Sequence, residues 1–292
     1  MRKIKELLIE RSLLASAWIT IAVTVGIILV LSVEAFNFFG EVSIVDFLTD
    51  TQWTPLFTDK HFGILPLLAG TLLTSFIAII FAVPVGLSIS IYISEYAPRS
   101  FRKTIKPALE LLAAVPSVVY GFFALTVVTP FLQTFIPGLS GFNSLSAGLV
   151  MGIMIIPFIS SLSEDALHAV PNSLREAAYG MGSTRLQNAF RVMVPAASSG
   201  IIVSIILAIS RAIGETMIVA IAAGQQPRLT LDPTVPVETI TAYIVQVSLG
   251  DVQHGTVEYR TIFAAGITLF AFTFILNTVS YRIRKKFREK YE

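Results

Sequence analysis

Apolar residues run through this chain in long blocks rather than in alternation, and six blocks stand out, at 13–34, 64–93, 109–136, 145–162, 197–224 and 261–281. A bilayer core of ~30 Å takes ~20 residues of helix, so each block predicts one spanning helix. The fourth is short, and the second and third are long enough to tilt or kink. Pro84, Pro116, Pro130 and Pro157 fall inside the blocks. A proline there frees a carbonyl that only a neighbouring helix or water can satisfy, which favours a packed all-α bundle.

Composition agrees with the pattern. Of 292 residues, 54% are hydrophobic and 14% charged, and the mean hydropathy is +0.76, far from a soluble domain. No linker-like stretch divides the blocks, so one membrane domain is expected. There is no cysteine, which excludes disulfides and thiolate chemistry. The N-terminal apolar block is too long for a signal-peptide core and reads as a first span.

The polar segments give an orientation. The N-terminal tail, the segment after span two, the segment after span four and the C-terminal tail together hold seventeen lysines and arginines, against Lys60, Arg228 and Arg260 in the others. By the positive-inside rule both termini are cytoplasmic. The expected divisions are 1–36 (tail and first span), 37–63 (external loop), 64–284 (core, with a cytoplasmic loop at 163–196) and 285–292 (basic cytoplasmic tail).

That cytoplasmic loop contains PNSLREAAYGMGSTRLQNAFRVMVP, residues 171–195. Ser173 with Glu176 is a capping-box pattern, Gly182 a helix stop and Thr184 with Gln187 a second box, predicting two short helices. Leu186, Ala189, Phe190 and Met193 give the second helix one apolar face, and Pro195 is expected to end it. From periodicity alone this is either a hairpin on the membrane surface or an element that docks in a partner's groove.

Glu176, Ala177, Ala178, Gly182 and, nine residues on, Val192 to Pro195 resemble the EAA motif of permeases in binding-protein-dependent ABC importers; two apolar positions of the motif are valine here. The stretches 62–98, 110–123 and 210–224 are further similar to the PstC family of phosphate importer permeases. The resemblance implies six spans in a type I importer fold and a coupling loop, with Arg185 beside the motif, that sits on an ATPase. It also implies a PstA-like partner permease, two PstB-like ATPase subunits that bind ATP and magnesium, and a PstS-like external phosphate-binding protein. No GxxxxGK[ST] loop occurs in the chain, so ATP would be hydrolysed elsewhere. A PstA-type subunit, a permease for molybdate or sulfate, and a membrane scaffold stay open as alternatives.

Within span five, SRAIGETMIVAIAAG places Arg211 and Glu215 in an apolar run. A lipid-facing arginine at that depth would cost ~2.5–3.5 kcal/mol, so it should face the bundle or a cavity. Four residues apart on one helix, the two are expected to pair. The bland reading is an ion pair that fixes packing. The sharper one makes Arg211 a forked donor to phosphate oxygens, with Glu215 its tether, Ser210 and Thr216 nearby donors, and Ser117 a further candidate on the path.

Other features have plainer readings. Glu164, Asp165 and His168 read as a solvated helix end rather than a metal site, and His61 and His254 as isolated external residues. Gly148 with Gly152, and Ser117 with Gly121, are small-residue pairs for close helix packing. The basic C-terminal run reads as a stop-transfer anchor, with anionic lipid as the alternative ligand. No nucleic-acid motif or internal repeat is found.

Overall fold

The structure, a computed structural model, describes residues 2–286 and is all-α. Its helices are α1 (Arg2–Glu41), α2 (Ile44–Thr49), α3 (Leu65–Ile91), α4 (Arg99–Ala114), α5 (Ser117–Phe123), α6 (Thr129–Gln133), α7 (Ser144–His168), α8 (Asn172–Gly180), α9 (Arg185–Asn188), α10 (Val194–Ala196), α11 (Ser198–Ile213), α12 (Met217–Ala222), α13 (Ile240–Leu249) and α14 (Val257–Lys286). Four stretches, 9–41, 65–96, 144–168 and 257–282, are long and apolar enough to cross a membrane, and two bent pairs bring the number to six. Of the basic tail 285–292, residues 287–292 lie outside the described residues.

The bends correct the expected spans. The block 109–136 is not one helix: Ser100–Ala114 and Ser117–Gln133 meet at 85°. Val115, held extended (φ −63°, ψ 130°) because Pro116 follows it, makes the corner. Residues 109–114 therefore belong to α4, whose inward positions Arg102, Ile105, Lys106 and Leu109 recur at helical spacing. The Tyr120 hydroxyl donates to the Leu112 carbonyl across the corner at 2.8 Å. A second bend, of 73°, separates 185–196 from α11, and span five itself breaks after Ile213.

Three π turns, Tyr92–Tyr96, Ala124–Val128 and Ala189–Met193, share one cause. Each is closed by the N–H of the residue just before a proline: Ala97 before Pro98, Thr129 before Pro130, Val194 before Pro195. Proline cannot donate, and its ring crowds the carbonyl four residues back; widening the preceding turn relieves both. Pro195 is thus absorbed, and the helix runs on to Ala196 before bending, contrary to the stop expected there.

α7 is the central post. A Cβ on Gly148 would lie 2.7 Å from the Ile77 Cβ, and one on Gly152 2.9 Å from Phe81 Cδ1, so these glycines let α3 and α7 approach closely. Gly121 does the same between α5 and Ile221 of α12. Gly148, Gly152 and Gly121 thus serve close packing within the chain. α1 stands on the outside, its middle exposed almost all round, with Leu31 reaching Gly266 of α14.

The two ends of the bundle differ. At the aromatic end, Phe38, Phe47, Trp53, Phe62 and Tyr243 pack edge to face, with centroids from 5.0 Å (Trp53–Tyr243) to 6.2 Å (Phe47–Trp53) apart. At the basic end, α4, the close of α7 and the loop 171–197 are joined by charged side chains.

Candidate translocation site and coupling loop

Arg211 sits in the last turn of α11, about 20 Å of helix rise beyond Ser198 at ~1.5 Å per residue. Its side chain is exposed in the isolated chain, with the guanidinium 5.9 Å from the Phe158 ring centroid. The expected pairing with Glu215 is not made. α11 ends at Ile213, Gly214 turns the backbone, and Glu215 lies beyond the break rather than on the same helix face. Its carboxylate instead accepts from the amides of Met217 (3.1 Å) and Ile218 (3.3 Å), satisfying donors that α12 would leave bare.

The break is held from several sides. Thr241 donates to the Glu215 carbonyl at 2.7 Å. The Asn143 amide donates to the Ala222 carbonyl and that of Val237 to Ala223, both at 3.0 Å. The Ile240 amide donates to Thr71 Oγ1 at 3.0 Å, so the segment is also pinned to α3. Ser210 donates to Asn277 Oδ1 of α14 at 3.2 Å, and Thr216 only weakly to the Gly214 carbonyl at 3.4 Å. Ser117 opens α5 and is half-buried; its helix reaches α12 through Gly121. The result is a guanidinium with no ion pair among the described residues, beside an unwound, firmly anchored turn inside a span, which suits transient binding of an anion. Thr241 and Asn277, which hold this site, had no local signal in the sequence because their partners are distant.

Past the break, Glu238 is buried and its Oε1 has no hydrogen-bond partner. Burial raises its pKa to about 8. It lines a cavity of about 170 Å³ with Trp53, Gln225, Gln226 and Gln246.

The loop 171–197 folds as two short helices. The first does not use the Ser173–Glu176 box: Pro171 is the N-cap, Asn172 already begins α8, and Ser173 is too far inside to cap. Gly182 terminates it in the left-handed region (φ 81°). Its N–H bonds the Tyr179 carbonyl at 2.9 Å and that of Ser183 bonds Ala178 at 3.1 Å, the Schellman arrangement. The Thr184–Gln187 box forms in full. The apolar face divides in two: Ala189 and Met193 are buried against the chain's own core, whereas Leu186 and Phe190, with Met181 at 89% exposure, point away from it. Glu176 and Ala177 are exposed, Ala178 is half-buried, and Arg185 is exposed at the edge of a polar cavity shared with Arg175 and Glu95.

Glu164 is not at a solvated helix end. Its side chain is 4% exposed and receives Lys106 Nζ at 2.9 Å, with His168 at 3.2 Å and Arg102 at 3.8 Å. His61 is likewise not isolated, since its Nδ1 meets Asp50 Oδ2 at 2.8 Å; His254 packs on Tyr259.

A broken span that carries an exposed cation beside the break, with an amphipathic loop between spans, fits a membrane permease. Residues 82–289 match the model of the binding-protein-dependent transport system inner membrane component, and the chain belongs to that family. It is a transport component rather than an enzyme, in a multi-pass membrane protein. It is 37% identical over 266 residues to the phosphate transport system permease protein PstC of Mesorhizobium japonicum, covering 85% of this chain and 79% of that one. It is 35% identical to the probable ABC transporter permease protein YqgH of Bacillus subtilis, covering 89% and 85%. Among solved structures, a bacterial ABC transporter that imports the acidic polysaccharide alginate shares the fold, with a TM-score of 0.61 at 16% identity over 93% of this chain and 96% of that one. The inward-facing MetNI methionine transporter also shares it, with a TM-score of 0.56 at 18% identity over 78% and 95%.

Proposed function

We propose that this chain is the PstC-type permease subunit of an ATP-driven importer of inorganic phosphate in a bacterial or archaeal plasma membrane. The observation that carries the reading is the conjunction, in one family member, of a folded EAA loop with exposed Met181, Leu186 and Phe190 and a free Arg211 at the broken span that follows it. The basic end faces the cytoplasm, a placement supported by the lysine and arginine distribution. There the loop, through Glu176, Ala177, Ala178, Gly182 and Arg185, rests on one of two PstB-like ATPase subunits, where ATP and magnesium bind. A PstA-like permease completes the pore, and a PstS-like protein delivers phosphate at the aromatic end.

In this mechanism Arg211 offers two or more N–H donors to phosphate oxygens when they leave the binding protein. Glu215 keeps the entrance to α12 capped, so the turn beside Arg211 stays open without collapsing into helix. Ser210, Thr216 and Ser117 supply hydroxyls along the same route. No other lysine or arginine lies in the apolar blocks 13–34, 64–93, 109–136, 145–162, 197–224 and 261–281, which favours binding weak enough for release. ATP-driven closure moves the equilibrium between outward and inward access only through different affinity for the two states.

The test is uptake of labelled phosphate by membranes carrying the full complex, with and without this chain, against excess unlabelled sulfate or molybdate. Phosphate uptake that depends on the chain and resists both competitors is expected; uptake of sulfate or molybdate instead would overturn the substrate assignment.

A further inference from the structure

At the basic end, a continuous line of charged contacts leads from the loop 171–197 into the spans. Arg175 of α8 donates from Nη2 to Glu95 Oε1 at 2.7 Å and from Nη1 to Asn172 Oδ1 at 2.9 Å. Glu95 lies in the π turn that closes the second span, with its side chain 2% exposed. The carbonyls of Ile93 and Ser94 in the same turn accept from Arg102 Nη2 of α4 at 2.6 and 3.0 Å. Arg102 also touches His168 and, with Lys106, faces Glu164 of α7. Beyond the Pro116 corner, α4 leads into α5, and a Cβ on Gly121 there would lie 3.2 Å from the Met217 carbonyl, two residues past Glu215.

A buried carboxylate is a poor device for stability alone, because its desolvation offsets most of the Coulombic gain and apolar packing of the same volume does as well. What a charge-assisted, directional bond adds is a fixed distance between two elements that would otherwise slide. α8 has no fully buried residue; its apolar hold on the bundle is the half-buried Leu174, packed against the cluster of Leu167, Val170 and Met193. Among the described residues, its one ion pair to the spans is Arg175–Glu95.

We infer that the Glu95–Arg175 bridge is the positioning contact that makes the loop and the junction of α3 with α4 move as one body, so that displacement of the loop reaches α5 and the broken fifth span. Glu95 and Arg175 are positioning residues and do not meet the transported ion. The inference rests on the reading that the loop docks on an ATPase.

The experiment uses the reconstituted complex with a phosphate-loaded binding protein, and reads phosphate moved per ATP hydrolysed alongside retention of the ATPase subunits. Glu95→Gln and Arg175→Gln should assemble and hydrolyse ATP near the wild-type rate while the transport ratio falls about tenfold. The double reversal, Glu95→Arg with Arg175→Glu, should recover at least half of the ratio. Single variants with an unchanged ratio, single variants that lose their ATPase subunits, or a reversal that assembles without recovery would each overturn the inference. Failure of the underlying reading is distinguishable, because then the wild-type chain would retain no ATPase.

Discussion

The two ends of the bundle are held by different physics. At the aromatic end Phe38, Phe47, Trp53 and Tyr243 are fully enclosed, and the carboxylates of its ion pairs, Glu258, Asp50, Glu34, Glu41 and Asp59, are 23% to 97% exposed. At the basic end Glu95 and Glu164 are 2% and 4% exposed, and they bridge four separate helical segments. Exposed pairs contribute little and aromatic packing much, so the first end is fixed by its core with its charges decorative. Buried pairs resist separation along the bond yet tolerate rotation about it. The second end is therefore built to transmit movement while keeping its parts in register.

If that contrast is right, the largest loss of stability should follow removal of an aromatic anchor. Trp53→Ala should cost ~3–5 kcal/mol, as other large aromatic truncations do, measured by thermal unfolding of the purified complex. Glu164→Ala should rank second, on the order of 2 kcal/mol, below the ~3–5 of a fully buried pair because Lys106 and His168 stay partly solvated. Lys60→Ala, which removes the pair with Glu258 at 2.5 Å, should cost under ~1 kcal/mol. A Lys60 effect equal to that of Glu164 would erase the distinction between the ends.

A pH series sharpens the comparison at the aromatic end. The hydrogen bond to Asp50 raises the pKa of His61, with the charges of Asp50 and Asp59 in support. Burial opposes ionisation of Asp50, but the Gln52 amide and the His61 ring outweigh it and lower its pKa. A raised histidine contributes fully below its unfolded value of ~6.5 and loses that contribution as pH climbs through the folded value; the lowered aspartate contributes above ~3.9 and loses it on acidification. Glu238, raised to about 8, binds its proton more tightly when folded, so stability also falls as pH rises from ~4.5 toward that value. The melting temperature should thus drop between pH 6 and pH 8. His61→Gln and Glu238→Gln should each flatten the drop; a drop of the same size in the double variant would show that other groups carry it.

Much of this architecture is legible in the sequence, and what is not has a common cause. Apolar blocks announce the spans because bilayer thickness fixes their length, and Thr184–Gln187 announces a cap because both partners lie within one turn. Ser173 misleads because Pro171 starts the helix earlier. Arg211 and Glu215 have pairing distance only in an unbroken helix, and Gly214 alone is a weak sign of a break. Glu164 and Lys106 are separated by 58 positions and Glu95 and Arg175 by 80, so a lone carboxylate near a span end gives no hint that it is buried. Contacts within a turn can be read locally; those that connect the ends to the pathway cannot.

The measurement closest to the central claim is accumulation of labelled phosphate in proteoliposomes containing the complete complex, comparing the wild-type chain with Arg211→Ala. The absence of cysteine allows a single reporter thiol to confirm equal insertion of both. The account predicts phosphate accumulation with the wild type and none with Arg211→Ala, at equal assembly and with the ATPase still bound. Accumulation by the assembled variant at the wild-type rate would contradict it.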